Sequence, residues 1–296
     1  GLNKSDLLLL AGRPGMGKTS MGLNVAVNAA KASRKTVAVF SLEMSREQLA
    51  TRLLSSEACV ESGRLRTGSL RETDWEKIAA AASVLNKVDI RIDDNPMLSV
   101  ADMNAKCRRI DGLALVVIDY LQLMSGSGGR KNESRQQEIS DISRSLKSLA
   151  RELDCPVIAL SQLSRKVEER EDKRPILSDL RESGAIEQDA DMVCFIHRPE
   201  YYTRSKEDAN GNSIEGLAEF IIAKHRSGAT DTVNMKFVSY LARFQNYDED
   251  TRLTDFSAPV TSKFNTPDTS TTSAAPLSGN PDFLNSPGSS NNDIPF

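Results

Sequence analysis

The stretch Leu7-Leu8-Leu9-Leu10-Ala11-Gly12-Arg13-Pro14-Gly15-Met16-Gly17-Lys18-Thr19 runs an unbroken apolar segment straight into the pattern G-x-x-x-x-G-K-[ST]. Continuous hydrophobicity predicts a strand covered on both faces, and a helix is expected to begin near Lys18. Backbone N–H groups in such a turn, together with the positive end of that helix, form a hollow for anions. Glycines are needed there because side chains would block the phosphates. Gly12, Arg13, Pro14, Gly15, Met16, Gly17, Lys18 and Thr19, with Ser20 beside them, are therefore the candidate binding residues for a nucleoside triphosphate, taken as ATP. Lys18 is expected to reach the β- and γ-phosphates and Thr19 to bind Mg²⁺. A glycine-rich turn that merely caps a helix is the alternative, and the order strand, loop, helix disfavours it.

The rest of the chain repeats the theme. Apolar runs end in polar residues at Leu7 to Ala11, Thr36 to Leu42, Leu113 to Ile118, Val157 to Leu160 and Met192 to Ile196. Helical patterns separate most of them. The expected fold is α/β, with a mostly parallel central sheet flanked by helices. Ser45 to Gln48 and Thr73 to Glu76 both fit the capping box, and Trp75, Ile78, Ala82 and Leu85 then share a helix face. Ile139, Ile142, Leu146, Leu149 and Leu153 form an amphipathic stripe, read as core. Beyond residue 216, Leu217 to Lys224, Thr232 to Val238 and Leu241 to Phe244 look like strands whose hairpins extend the sheet at one edge.

Length allows one large α/β domain, expected over 1–250, and a tail over 251–296. From Ser257 onward the chain carries six of its eleven prolines among dense Ser, Thr and Asn. Such a segment is expected to be disordered, because it buries too little surface to offset its ordering entropy. The net charge of −3 gives no global basic field, so any nucleic-acid contact has to be local. Cys59, Cys107, Cys155 and Cys194 are far apart and show no C-x-x-C pairing, which suits buried thiols in a reducing compartment. No apolar stretch approaches a membrane span, and the expected location is the cytoplasm.

In an open α/β sheet, ligands bind at the carboxyl ends of the strands. Asp119 ends the run Leu113 to Ile118, the pattern of the second ATPase motif, whose carboxylate serves Mg²⁺. Glu43 follows Val39-Phe40-Ser41-Leu42 and is placed to deprotonate the attacking water. Gln162 follows Val157 to Ser161, where an amide can sense the γ-phosphate. From spacing alone, a solvated strand end explains Glu43 and Gln162 equally well.

Taken together, GRPGMGKT, FSLEMS (Phe40 to Ser45), VVIDYLQLM (Val116 to Met124), SQLSR (Ser161 to Arg165), DLRESGAIEQDAD (Asp179 to Asp191) and AKHRSG (Ala223 to Gly228) closely resemble the motor domain of replicative DnaB-type helicases over about residues 1–250. The resemblance implies a RecA-like P-loop NTPase fold assembled as a homo-hexamer, with ATP between neighbours and single-stranded DNA in the central channel. It also implies a primase and a helicase loader as partners. By that resemblance, Glu43 is the catalytic glutamate, Asp119 binds the metal and Gln162 senses the γ-phosphate, while Arg52 lies near the nucleotide. Lys224 and Arg226 match the basic pair that a neighbouring subunit inserts towards the γ-phosphate. Arg181, Glu182 and Gly184 fall in the loop that follows the DNA backbone. Full-length members carry an N-terminal domain and a linker helix that docks on the adjacent motor, and this chain begins just before its first strand. If the chain is a fragment, activity that depends on Arg226 in trans is expected to be weak unless concentration is high or DNA is present.

The segment Leu163 to Arg174 mixes Arg165, Lys166, Arg170, Lys173 and Arg174 with Glu168, Glu169, Glu171 and Asp172, so its charge nearly cancels. A solvated loop and a DNA contact both fit it. The final Asp293-Ile294-Pro295-Phe296 resembles the partner-binding tip of bacterial single-stranded DNA-binding proteins, which implies docking on replication or repair proteins; a chance ending is the alternative. Three functional readings follow: an ATP-driven ring that unwinds DNA, a RecA-like DNA-stimulated ATPase without unwinding, and an ATP-stabilised DNA-bound scaffold.

Overall fold

The computed structural model describes residues 2–121, 124, 135–180, 184–203, 207 and 213–247. The tail beyond 247, the Asp293 to Phe296 tip, and Arg181 and Glu182 lie outside these described residues.

Strands and helices follow the chain in the order β1 (Leu7–Gly12), α1 (Lys18–Ser33), β2 (Thr36–Ser41), α2 (Arg46–Ala58), α3 (Ser62–Thr67), α4 (Glu72–Leu85), β3 (Ile90–Asp93), α5 (Val100–Cys107), β4 (Leu113–Asp119), α6 (Arg135–Glu152), β5 (Val157–Gln162), α7 (Gly184–Asp189), β6 (Met192–His197), β7 (Leu217–His225), β8 (Asp231–Val238) and β9 (Arg243–Asn246). The strands form one sheet ordered β3-β2-β4-β5-β1-β6-β7-β8-β9. Pairing is parallel from β3 to β6 and antiparallel from β6 to β9. The hairpins do extend one edge, as their sequence predicts.

Two cores arise from one run of leucines. Successive side chains of a strand point to opposite faces, so Leu7 and Leu9 pack with Phe40, Ile118, Ile142 and Leu146 on one side. Leu8 and Leu10 pack with Met21, Val27, Val39 and Leu160 on the other. β1 is central, flanked by β5 and β6, which is why it can be apolar on both faces. The stripe Ile139, Ile142, Leu146 and Leu149 of α6 is buried in the first core, as expected.

Three local expectations change. α4 starts at Glu72, not after Thr73, and the Asp74 carboxylate accepts the Arg71 N–H at 3.0 Å, so the N-terminal acid sits two residues earlier than the Thr73 to Glu76 box. Trp75 is 60% exposed, because the buried face of this helix runs through Asp74 and Ala81 with Ile78 partly buried. The last strand is Arg243–Asn246, displaced by a one-turn 3₁₀ segment over Ser239–Leu241. Ser45 caps α2 as predicted, its hydroxyl accepting the Gln48 N–H while the Gln48 side chain accepts the Ser45 N–H.

His197 closes β6, 6% exposed and stacked on Tyr202 with ring centroids 5.8 Å apart. Burial, aided by the nearby Arg174 charge, pushes its pKa down to about 4 against a weaker pull from Asp172. The unfolded chain therefore takes up a proton that the folded chain refuses as pH falls from about 6.5 to about 4. Stability is lost across that window, by at most about 3 kcal/mol for a shift of this size. His197→Gln should flatten the fall, measured as the difference in urea unfolding free energy at pH 7 and pH 4.5; an unchanged difference refutes the assignment.

Candidate nucleotide site

The chain leaves β1 through a turn held open by two glycines at positive φ. Gly15 has φ 80° and Gly17 φ 96°, a region L side chains rarely adopt. Space is tight for a side chain as well. A Cβ on Gly17 would lie 2.9 Å from the Phe244 ring, and one on Gly15 would lie 3.1 Å from the Tyr201 ring. Arg198 Nη1 donates to the Gly15 carbonyl at 3.0 Å, and the Phe244 N–H donates to Asn24 Oδ1 at 2.8 Å. The antiparallel extension therefore props the turn from behind. Arg198, Tyr201 and Phe244 were not singled out from sequence, since nothing in local spacing links them to a turn so far away along the chain, and nothing in the sequence pairs Asn24 with Phe244.

Around this turn the predicted polar residues converge. Thr19 Oγ1 donates to Asp119 Oδ2 at 2.7 Å. Asp119 is 3% exposed at the end of β4. Ser41 of β2 is its register partner, which brings the β2 terminus and Glu43 alongside. Gly12 is the register partner of Gln162 on β5, so Gln162 flanks the first residue of the turn. Burial lowers the Lys18 pKa, while the charges of Asp119 and Glu43 pull it back up. Burial raises the Asp119 pKa; the Thr19 hydroxyl, Lys18 and Arg52 oppose that, and Glu43 adds to it. Lys18, Thr19, Glu43, Arg52 and Asp119 thus form one electrostatically coupled cluster.

The cluster suits a polyphosphate with a divalent cation. Lys18 Nζ, in reach of the Arg13 carbonyl at 3.3 Å, sits over the turn, and the Thr19 hydroxyl and Asp119 carboxylate are paired oxygen donors of the kind Mg²⁺ takes. Arg13 and Met16 of the octapeptide, and Ser20 just after it, turn their side chains into the fold. Arg13 is buried, its Nε donating to Glu168 at 2.9 Å and its Nη1 to the Leu163 carbonyl at 3.0 Å, so its guanidinium turns away from the turn. Met16 is packed into the second core, and Ser20 is buried. Pro14 is exposed.

The segment after β5 is tied down by its charges. Besides Arg13–Glu168, Arg170 makes a two-pronged pair with Asp179 at 2.6 and 2.7 Å. Arg174 donates to Thr232 at 3.0 Å, and Lys173 lies 5.5 Å from the Tyr202 ring. Arg170, Lys173 and Arg174 are thus held by contacts within the chain, while Arg165 and Lys166 are exposed. A cavity of about 550 Å³ lies away from the turn, at the β2–β3 edge. Its Arg46 and Lys106 are paired with Asp94 and Asp93.

Lys224 and Arg226 lie at and just beyond the end of β7, and both reach α7. Lys224 Nζ donates to the carbonyls of Glu187 and Ala190, the latter at 3.0 Å. Arg226 donates to the Gln188 carbonyl and, at 3.2 Å, to Asp191. Burial, then the Arg226 charge, lowers the Lys224 pKa. The two cations are thus not in the Lys18 cluster of their own chain. Gly184 opens α7. Among the described residues no group of His, Cys, Asp and Glu forms a metal site, and no helix is long and apolar enough to cross a membrane.

Comparison with known proteins agrees with this geometry. The family model for the DnaB-like helicase C terminal domain matches residues 1–246. The replicative DNA helicase DnaB of Geobacillus stearothermophilus is 51% identical over 249 residues, covering 83% of this chain and 53% of that protein. The replicative DNA helicase DnaC of Bacillus subtilis (strain 168) is 49% identical over 262 residues, covering 88% and 56%. The chain thus spans about half the length of the curated relatives it matches. Among solved structures, one described as an ATPase domain superposes with TM-score 0.77 at 40% identity, over 84% of this chain and 87% of that one. A DnaB-like replicative helicase, described with its interactions with primase, gives 0.78 at 39% over 84% and 59%. The RadB recombinase, at 15% identity and TM-score 0.51, shares the RecA-like fold alone. With its turn, its sheet order and a family match over nearly all described residues, the chain belongs to the DnaB-like helicase C-terminal domain family.

Proposed function

We propose that this chain is the ATP-driven motor of a replicative DNA helicase that encircles single-stranded DNA as a homo-hexamer and unwinds duplex DNA. The observation that carries the reading is the coupling of Lys18, Thr19, Asp119 and Glu43 at adjacent strand ends, with Arg226 of the same chain elsewhere. One half of a phosphoryl-transfer site is complete, and the cation that balances the transferring group comes from a second copy. A scaffold that used ATP only for assembly would have no need of Glu43 beside Lys18. Relatives at 49–51% identity named replicative helicases support unwinding over a RecA-like ATPase without it.

The roles follow from position. The turn from Gly12 to Thr19 holds the phosphates by its N–H groups, and Lys18 adds charge at their far end. Thr19 and Asp119 would hold Mg²⁺, which when bound draws electron density from the phosphate oxygens. Glu43, exposed at its strand end, takes the proton of the attacking water. Gln162 hydrogen-bonds at the γ-phosphate, and Arg52 offsets the acids near the nucleotide. Lys224 and Arg226 act on the neighbouring copy. Arg181, Glu182 and the backbone at Gly184 contact DNA phosphates without reading bases, so binding weakens as salt rises. Primase, a helicase loader and proteins bound by the Asp293 to Phe296 tip complete the partners, at the replication fork in the cytoplasm.

Glu43→Gln should leave nucleotide binding intact, read by a fluorescent ATP analogue, and lower steady-state turnover by about a hundredfold or more. Turnover near the unmodified level with nucleotide bound removes Glu43 as the base. A second expectation concerns the shared site. Lys18→Ala and Arg226→Ala chains, each inactive alone, should recover turnover when mixed with DNA present, since random assembly places an intact cradle against an intact cation at roughly a quarter of interfaces. Co-assembly without recovery, scored by mass photometry and phosphate release, refutes a site built from two copies.

A further inference from the structure

We propose that Asp191 is the positioning residue for Arg226, an inference that rests on the shared-site reading above. Asp191 lies just before β6 and is 9% exposed. Its main chain is fixed at both ends of the contact: its N–H donates to the Leu7 carbonyl at 2.9 Å, and its carbonyl accepts the Arg226 N–H at 2.8 Å. The carboxylate is divided between two tasks. Oδ2 accepts the Leu7 N–H at 2.8 Å and the Lys147 ammonium from α6. Oδ1 accepts Arg226 Nη1 at 3.2 Å.

Burial opposes ionisation of Asp191, and the Leu7 N–H, Lys147 and Arg226 outweigh it, holding the pKa below the ordinary carboxylate value. Lys147 alone neutralises the carboxylate, and the Leu7 N–H satisfies it. The second cation is therefore more than burial of Asp191 requires. What the contact does is hold Arg226. A guanidinium on a long, rotamer-rich stem just past a strand end loses its aim unless acceptors define its plane. Asp191 Oδ1 and the Gln188 carbonyl are two such acceptors, on different nitrogens. The side chain stays 44% exposed, and three of its five N–H donors have no partner among the described residues. Arg226 is thus fixed in direction yet able to donate to a second copy.

The test uses the complementing mixture of Lys18→Ala chains, which supply Arg226, and Arg226→Ala chains, which supply the cradle. Asp191→Asn keeps the size of the side chain and an oxygen for the Leu7 N–H while removing the charge. Placed in the Lys18→Ala chain, it should lower the recovered turnover about ten- to a hundredfold, the cost of misplacing a group at a transition state by about an ångström. Placed in the Arg226→Ala chain, it should change turnover less than about twofold. Equal losses in both chains mean that Asp191 only supports the fold, and no loss in the first means that Arg226 needs no anchor. Either result overturns the proposal. A parent mixture that assembles and stays inactive instead overturns the shared-site reading, and this inference with it.

Discussion

A partly buried lysine, a buried aspartate and a nearby glutamate meet at the carboxyl ends of neighbouring strands, and the fold has to keep their charges in balance. Lys18 loses affinity for its proton through burial, and Asp119 gains affinity for one by the same cause. Each partly offsets the other, and Arg52 and the Thr19 hydroxyl add to the compensation. The cluster is close to neutral as it stands. A polyphosphate brings several negative charges into it, more than Lys18 and the turn's N–H groups neutralise. In the proposed reading the remainder falls to Mg²⁺ at Thr19 and Asp119 and to a cation from a second copy. Dependence on assembly then follows from charge balance in a poorly solvated place.

The same sheet explains how distant parts of the chain serve this balance. β1 delivers the turn, and its neighbours on either side are β5, which ends at Gln162, and β6, which follows Asp191 and ends at His197. Beyond β6 the strands reverse direction, and their aromatic residues stand behind the glycines. Phe244 and Phe237, with ring centroids 4.5 Å apart, leave little room for a Cβ at Gly17. Arg198 packs over Phe237 at 4.5 Å and holds the Gly15 carbonyl. One edge extension thus supports the phosphate turn with its aromatic residues and ends β7 at Lys224 and Arg226.

What was legible in the sequence is what depends on short-range pattern. Four leucines before a glycine-rich turn name a buried strand and its loop, and runs ending in Glu43, Asp119 and Gln162 name three more strand ends. Pattern fails where burial is decided by tertiary neighbours. Ile90 to Asp93 is too short and too polar to read as a strand, because as β3 it covers the sheet edge and is only partly buried. Trp75 lies on an apolar helical stripe, yet α4 is a peripheral helix that buries the Asp74 and Ala81 side instead. Arg13 falls within the octapeptide, and nothing in its local pattern shows that its side chain is a buried brace on Leu163 and Glu168. The Lys224 and Arg226 pair became legible only through family resemblance; in isolation it reads as a basic strand end.

The structure gives these two cations different standing, and the reason is the number of donors each carries. An ammonium has three N–H groups, and the Lys224 Nζ has the carbonyls of Glu187, Gln188 and Ala190 within reach. To act on another copy it has to release α7, whose final carbonyls are then left without that cation. A guanidinium has five donors in a rigid fork. Arg226 satisfies Asp191 and Gln188 with two of them, and the others have no partner among the described residues, so it can donate outward without leaving its own chain. Arginine at 226 therefore suits a cation that is anchored and reaching at once, and a lysine there would have to choose between the two.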